Sequence, residues 1–186
     1  MRFSGMLLVG ERPSEYTRDV NDWYVEPKWC VDALTSRVNF RGAIHDPCCG
    51  SGTIPKALDG SGADLIDRGF GYPVRNYMSD TMRYDNIVTN PPYNIAQDII
   101  EHALNHVRYR VAALVQTKFL SSQRRHKLFS RPETELVIVF SKRPSMPPGE
   151  MLVKHGESIR GNGSIDYCWV VWGKDYDGGC RISWAM

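Results

Sequence analysis

The chain has 186 residues, of which 42% are hydrophobic and 24% charged, and its formal net charge is +2. This balance predicts a globular, soluble protein with a sizeable core, and no segment approaches the roughly 20 apolar residues of a membrane span. The charge is too small to indicate a nucleic-acid partner by itself. The five cysteines form no CxxC pair, so neither a zinc site nor a disulfide framework is predicted, and a reducing cytoplasm is expected.

Predicted strands and helices alternate after a polar N-terminal arm at residues 1–22, and residues 23–186 are predicted to form a single domain. The predicted helices span about 28–37, 53–58, 95–107 and 121–129, and the predicted strands span about 43–45, 63–66, 86–89, 111–114 and 136–140. Two further segments, 167–172 and 180–184, are expected to pair as a closing antiparallel hairpin across DYDGG. This alternation predicts an α/β fold with a mostly parallel sheet of seven strands and helices on both faces.

The segment HDPCCGSG joins the first predicted strand to a helix. Its glycines, Gly50 and Gly52, allow the backbone to take positive φ and to approach a ligand closely. The segment lacks the GxGxxG spacing of dinucleotide folds and the GK[ST] ending of a phosphate loop, so ATP is not indicated. Taken alone, the pattern fits the glycine-rich turns of many folds equally well.

An acidic residue follows the glycine loop at a spacing that suits sugar binding. Asp64 falls in the second predicted strand, where ribose-binding folds place a carboxylate for the sugar hydroxyls. Asp67 is close by and is an alternative for the role. Either residue could also be a solvated acid at the end of a strand.

The segment YDNIVTNPPYN contains a strand that stops at a rigid bend. The β-branched run at 86–89 predicts a buried strand, and Pro91 and Pro92 cannot donate the backbone hydrogen bonds that would continue it. In open α/β sheets, ligands bind at the carboxyl ends of strands. We therefore expect Asn90 and Tyr93 to lie at a binding site.

The order of glycine loop, acid and NPPY resembles the S-adenosylmethionine-dependent amino-methyltransferases. In particular, it resembles the N6-adenine DNA methyltransferases whose first motif is DPxxGxG. Upstream, DWYVEPKW is similar to the cofactor segment of that family, and downstream QTKFLSSQRRHKLFS and FSKRP resemble small phage and prophage members. The resemblance spans roughly residues 22–172. It implies a Rossmann-like class I methyltransferase fold, S-adenosylmethionine as the cofactor, and no metal.

The resemblance also implies roles for individual residues. The side-chain oxygen of Asn90 and the carbonyl of Pro91, stiffened by Pro92, would accept hydrogen bonds from an exocyclic amino group, and Tyr93 would stack on the target ring. The implied cofactor contacts are Tyr24, Glu26, Pro27, Asp46, Pro47, Cys48, Gly50, Gly52, Asp64, Asn76 and Asn90.

Three of these positions depart from the family pattern. Glu26 replaces the usual threonine, where an anion would be unhelpful for a methionine carboxylate, and Cys48 replaces an aromatic residue. Asn76 stands where an acid usually contacts the adenine of the cofactor, and Asp80 is the alternative.

The implied substrate is adenine N6 in DNA. Since 186 residues leave no room for a separate target-recognition domain, recognition is expected to come from loops, a protein partner or a homodimer. The candidate contacts to phosphates are Arg124, Arg125, Lys127 and Arg143. The alternative for the run at 124–127 is a solvated face of a helix.

Other functions remain open from the sequence. RNA adenine and a protein glutamine amide are alternative substrates, because NPPY serves both. A catalytically silent cofactor-binding module of a heteromer is a further hypothesis. The altered Glu26 and Asn76 favour that silent module, whereas the intact NPPY motif argues against it.

Overall fold

The computed structural model describes residues 23–186, so the predicted N-terminal arm lies outside the described residues. The helices are α1 Lys28–Thr35, α2 Thr53–Ala57, α3 Ala96–His106, α4 His126–Phe129 and α5 Gly149–His155. The strands are β1 Ile44–Asp46, β2 Ser61–Gly62, β3 Tyr84–Thr89, β4 Val107–Gln116, β5 Thr134–Phe140, β6 Tyr167–Gly173 and β7 Arg181–Ala185. None of the helices at 23–186 is both long and apolar enough to span a bilayer.

The sheet confirms the predicted α/β fold. Its seven strands lie in the order β2-β1-β3-β4-β6-β5-β7. Strands β1 to β4 are parallel to one another, and β7 is parallel to β5. Strand β6 is antiparallel to both of its neighbours, β4 and β5, so the consecutive strands β5 and β6 supply the antiparallel hairpin of a mostly parallel sheet.

The expected pairing of segments 167–172 and 180–184 is wrong. Both segments are strands, but β5 lies between them, with Val137 beside Ile182 and Val139 beside Trp184. Strand β6 is buried along its whole length, so it needs a neighbour on each edge, as central strands do. Strand β7 is mostly exposed and therefore fits the edge of the sheet.

The second predicted strand is also displaced. Strand β2 covers only Ser61–Gly62, and Asp64 instead forms an isolated bridge with Val74. The backbone N–H of Asp64 donates to Pro73 O, and the N–H of Arg75 donates to Asp64 O. The second strand therefore ends at Gly62, just before the predicted strand begins.

Different helices cover the two faces of the sheet. Helix α3 packs Ile99 and Leu104 on one face, and α1 packs Leu34 on the other, as the 3.6-residue period of their apolar side chains requires. On the α1 face, the indole N–H of the fully buried Trp169 donates to Cys30 O at 2.7 Å. This packing fixes the carboxyl ends of β1 and β3 next to each other.

Candidate active site

A cavity of about 240 Å³ lies at the carboxyl ends of β1 and β3. Four segments enclose it: 23–26, 46–53, 64–78 and 90–99. Among the predicted cofactor residues, those that line the cavity are Tyr24, Glu26, Asp46, Pro47, Cys48, Gly50, Asp64, Asn76 and Asn90. Residues far apart in sequence are thus brought together at the edge of the sheet where ligands bind in α/β folds.

Pro27 and Gly52 do not line this cavity. Pro27 is the N-cap of α1, and Gly52 is the N-cap of α2 with φ of 83°. A Cβ atom at Gly52 would lie 2.1 Å from the hydroxyl oxygen of Tyr72, so the position requires glycine for steric reasons. Both residues shape the segments that enclose the cavity.

The glycine loop is held by contacts with segments before and after it. Gly50 has a φ of 51°, and a Cβ atom there would lie 2.3 Å from the indole nitrogen of Trp23. The N–H of Gly50 donates to Asp64 Oδ2 at 2.9 Å, and the N–H of Cys48 donates to Asp46 Oδ1 at 3.0 Å. Glycine is therefore needed both for the backbone conformation and for the indole that covers it.

The structure brings Asp64 to the cavity and leaves Asp67 outside. Asp64 is buried, accepts hydrogen bonds from the N–H groups of Gly50 and Ile66, and lies 3.6 Å from Arg68 Nε. Asp67 is exposed, and its carboxylate accepts from the N–H of Gly69. Asp64 is therefore the acid of the two that can contact a ligand in this cavity.

A similar choice separates Asn76 from Asp80. Asn76 lines the cavity, and its side-chain oxygen accepts from Met78 N at 3.1 Å. Asp80 is not among the lining residues, and it accepts a 2.6 Å hydrogen bond from the Tyr84 hydroxyl. The Asn76 amide is thus the better placed of the two for an adenine edge.

The Asn90 amide has a defined orientation at the bend after β3. Its Nδ2 donates to Tyr24 O at 2.9 Å and to Glu26 Oε2 at 2.9 Å. Its Oδ1 is buried and has no hydrogen-bond partner among the residues that the structure describes. A buried acceptor without a partner is costly, so it indicates a place where a donor from a ligand would bind.

Two buried carboxyl groups line the cavity beside Asn90. Burial raises the pKa of Glu26 to about 7, while the hydrogen bond from Asn90 and the charge of Arg160 oppose that rise. Burial also raises the pKa of Asp46 well above its usual range, and the nearby carboxyl groups of Glu26 and Asp64 add to the effect. A cationic ligand in the cavity would favour the ionised form of both groups.

A second cavity of about 430 Å³ adjoins the first at Tyr24, which lines both. Tyr93 lines the second cavity and stacks on Tyr24 with ring centroids 5.6 Å apart. The hydroxyl groups of Tyr93 and Tyr167 are 2.9 Å apart. Of the two prolines, Pro92 lines the first cavity, and Pro91 is buried and lines neither.

The predicted phosphate contacts line neither cavity. Arg124 and Lys127 are exposed. The guanidinium of Arg125 donates to Phe119 O at 2.6 Å and lies over the Phe119 ring, and Arg143 forms an ion pair with Asp166 at 2.7 Å. Arg125 and Arg143 thus contact other residues of this chain.

Two other polar residues do line the second cavity. Gln116 ends β4, and Lys118 follows it in a short 3₁₀ turn. Sequence reasoning missed both, although their place at the carboxyl end of a buried strand was a signal of a binding position. Lys118 is exposed and places a positive charge at this cavity.

Comparisons with known proteins are informative for the fold. No family model matches the chain, and no curated protein matches it. Among solved structures, the chain is similar to a protein from Listeria monocytogenes named as a class I S-adenosylmethionine-dependent methyltransferase. The TM-score is 0.55 at 10% identity, covering 85% of this chain and 62% of that one.

Two further solved structures have the same arrangement. The 23S rRNA methyltransferase ErmE has a TM-score of 0.56 at 11% identity, over 83% of this chain and 71% of that one. The M protein of the type I restriction enzyme EcoKI has a TM-score of 0.53 at 12% identity, over 83% of this chain and 44% of that one. The fold is that of the class I methyltransferases. The chain spans less than two thirds of the Listeria and EcoKI proteins.

Proposed function

We propose that the protein is an S-adenosylmethionine-dependent methyltransferase that modifies an exocyclic amino group, adenine N6 in DNA. The observation that carries the proposal is the buried Oδ1 of Asn90 at the bend after β3, which has no hydrogen-bond partner within residues 23–186. An amino group entering the site would supply the missing donor. The class I methyltransferase fold and the NPPY motif support the same reaction.

The residues of the first cavity fit the proposed cofactor. Asp64 and Asn76 line this cavity, where Asp64 would accept hydrogen bonds from ribose hydroxyls and Asn76 would contact the adenine ring. The carboxyl groups of Glu26 and Asp46 suit a ligand that carries positive charge. When bound, S-adenosylmethionine supplies an electrophilic methyl group on a sulfonium.

The protein's own groups would activate the amine by accepting its hydrogens. The lone pair of an aromatic amine is delocalised into the ring, so the amine is a poor nucleophile. Acceptance of its two hydrogens by Asn90 Oδ1 and Pro91 O would localise that lone pair. The rigid Pro91-Pro92 bend holds these acceptors in place before the substrate arrives, and such preorganisation is a large contribution to catalysis.

The second cavity would hold the target base. A base in a duplex must leave the stack before an enzyme can reach its amino group, and an aromatic wall holds the extruded ring. Tyr93 would provide that wall, and the amino group would reach past Tyr24, where the two cavities meet, to Asn90 in the first cavity. Lys118 would contact the phosphate of the extruded nucleotide. Further recognition of the DNA would come from the segments 144–148 and 159–165, which line the same cavity, or from a protein partner.

Product analysis tests this proposal. The purified protein would be incubated with radiolabelled S-adenosylmethionine and unmethylated duplex DNA, single-stranded DNA or RNA, and the nucleosides would then be identified by mass spectrometry. We expect N6-methyladenine in DNA. N6-methyladenine found only in RNA would mean that the substrate is RNA and not DNA. Label found only in protein would mean that neither nucleic acid is the substrate. If calorimetry detected no binding of S-adenosylmethionine at millimolar concentration, the proposal that the protein is a methyltransferase would be contradicted.

A further inference from the structure

We propose that Glu26 is a positioning residue that fixes the Asn90 amide with its oxygen directed toward the target amine. The inference rests on the proposed function, because it assigns a role within that site. The position is one at which this chain departs from the pattern it resembles, with a carboxylate in place of a hydroxyl.

The contacts of Asn90 Nδ2 determine which way the amide faces. The two hydrogens of this nitrogen meet two acceptors, the backbone carbonyl of Tyr24 and the carboxyl of Glu26, each at 2.9 Å. A flipped amide would place its oxygen against both acceptors, leaving three oxygen atoms in repulsive contact. Only the observed orientation satisfies the nitrogen and leaves Oδ1 free for a donor from substrate.

The protonation state of Glu26 decides how strictly the orientation is kept. An ionised carboxylate only accepts hydrogen bonds, whereas a protonated carboxyl carries an O–H that can donate. With that donor present, the flipped amide also finds a partner for its oxygen. A threonine hydroxyl has the same ambiguity, because it both donates and accepts. Glu26 therefore enforces the productive orientation when it is ionised.

The surroundings of Glu26 place this change near neutral pH. Burial raises its pKa to about 7, and the largest opposing effects, in decreasing order, are the Asn90 hydrogen bond, a backbone hydrogen bond at Glu26 and the Arg160 charge. Arg160 approaches from the loop after α5, and its guanidinium donates to Val25 O and Ser145 O. The titratable groups on the other elements are Asp46 at the end of β1, Cys30 of α1 and Cys49 of the glycine loop.

An NMR titration tests the orientation without requiring catalysis. The side-chain amide signal of Asn90 would be assigned as the signal that is missing from the spectrum of Asn90→Ala. Its chemical shift would then be followed from pH 5.5 to 8.5. We expect a transition near pH 7 in the wild-type protein and none in Glu26→Gln. A signal that does not titrate in the wild type would overturn the proposal.

Kinetics provide the second arm. We expect kcat of the wild type to rise with pH, with a midpoint below the pKa of about 7 of the cofactor-free protein because the cationic cofactor favours the ionised carboxylate, and Glu26→Gln to flatten that rise. Glu26→Leu, which removes the acceptor, should lower kcat at saturating cofactor about tenfold, in addition to the rise in cofactor Kd expected from loss of the charge, since misplacement of a catalytic group reduces the rate strongly. Glu101→Gln, on the exposed face of α3, is the matched control and should follow the wild type.

The outcomes separate this inference from the proposed function. An unchanged kcat at saturating cofactor in Glu26→Leu would overturn the positioning role, and an increase in cofactor Kd alone would leave Glu26 as a cofactor contact only. If the wild type transferred no methyl group to any nucleic acid, the proposed function would fail. The NMR titration would still decide whether Glu26 orients Asn90, including in a protein for which the leucine variant does not fold.

Discussion

Truncation of Asn90 to alanine should separate methyl transfer from cofactor binding. The substitution removes the buried Oδ1 that we assign to the target amine, together with the Nδ2 that donates to Tyr24 O and Glu26. Removing one preorganised hydrogen-bonding group from an active site typically lowers kcat by about 10²–10³-fold. We expect a loss of that size, because the Pro91 carbonyl remains as the second acceptor.

The same substitution should also lower stability measurably. It removes a hydrogen bond to the buried Glu26 carboxyl, and loss of the partner of a buried polar group costs about 1–3 kcal/mol. For a domain of this size, each kcal/mol lowers Tm by about 2–4 °C. The variant should therefore melt several degrees earlier and still be folded at 25 °C.

Three measurements check this prediction. Calorimetry would give the cofactor Kd, single-turnover transfer of a radiolabelled methyl group would give the rate of chemistry, and thermal unfolding would give Tm. Asn105→Ala, on the exposed face of α3, is the matched control and should resemble the wild type in all three. An equal loss of cofactor affinity and transfer in Asn90→Ala would mean that the bend supports the fold, and unimpaired transfer would refute the acceptor role.

Three other predictions concern separate parts of the site. The pKa of Glu26 rises from its ordinary 4.5 to about 7 on folding, so the unfolded chain releases this proton first and wild-type stability falls as pH rises from 4.5 to 7. Glutamine does not titrate, so the difference in Tm between Glu26→Gln and the wild type should increase in favour of the variant from pH 4.5 to 7 and stay constant above pH 7. The corresponding change in the free energy of unfolding is at most about 3 kcal/mol, and thermal melts at pH 5, 6, 7 and 8 would measure it. Gly50→Ala should destabilise the protein by about 1–2 kcal/mol or more and weaken cofactor binding, because φ is positive and the new Cβ would lie 2.3 Å from an indole nitrogen. Gly179→Ala is the control for the indole contact, because Gly179 also has a positive φ but no atom of the described residues lies within 4 Å of an added Cβ. Lys118→Ala should weaken DNA binding and reduce the slope of log affinity against log salt by about one, and Lys127→Ala should have a smaller effect, since it lines neither cavity.

Local rules were sufficient to predict the strand and bend that carry Asn90. A β-branched run followed by two prolines can hardly form anything except a strand that stops, and β3 ends at Thr89 as those residues require. The glycine loop was predictable for the same reason, since Gly50 and Gly52 do adopt positive φ. These features depend on neighbours in sequence, which the sequence displays directly.

Features that depend on distant partners were not predictable in the same way. The alternation of polar and apolar side chains in β7 is compatible with pairing to either β5 or β6. Strand β6 is buried along its whole length between β4 and β5, and β7 therefore pairs with β5. Arg125 lies in a basic run, and its contacts with the Phe119 ring and carbonyl, which no local pattern displays, came only from the structure. The role of Glu26 depends on Asn90, a residue 64 positions away.

The electrostatics of the site explain why a glutamate can be tolerated at position 26. The ionised carboxylate is unfavourable when buried, and its raised pKa expresses that penalty. Asn90 reduces the penalty by donating to it, and Glu26 in turn holds the amide oxygen in an orientation that is unsatisfied until a donor arrives. The hydrogen bond thus favours the ionised carboxylate and one orientation of the amide, and Asn90 Oδ1 still lacks a partner among the described residues. Under the proposed function, the target amine would supply the donor that this oxygen lacks, which accounts for a buried acceptor that folding alone leaves unsatisfied.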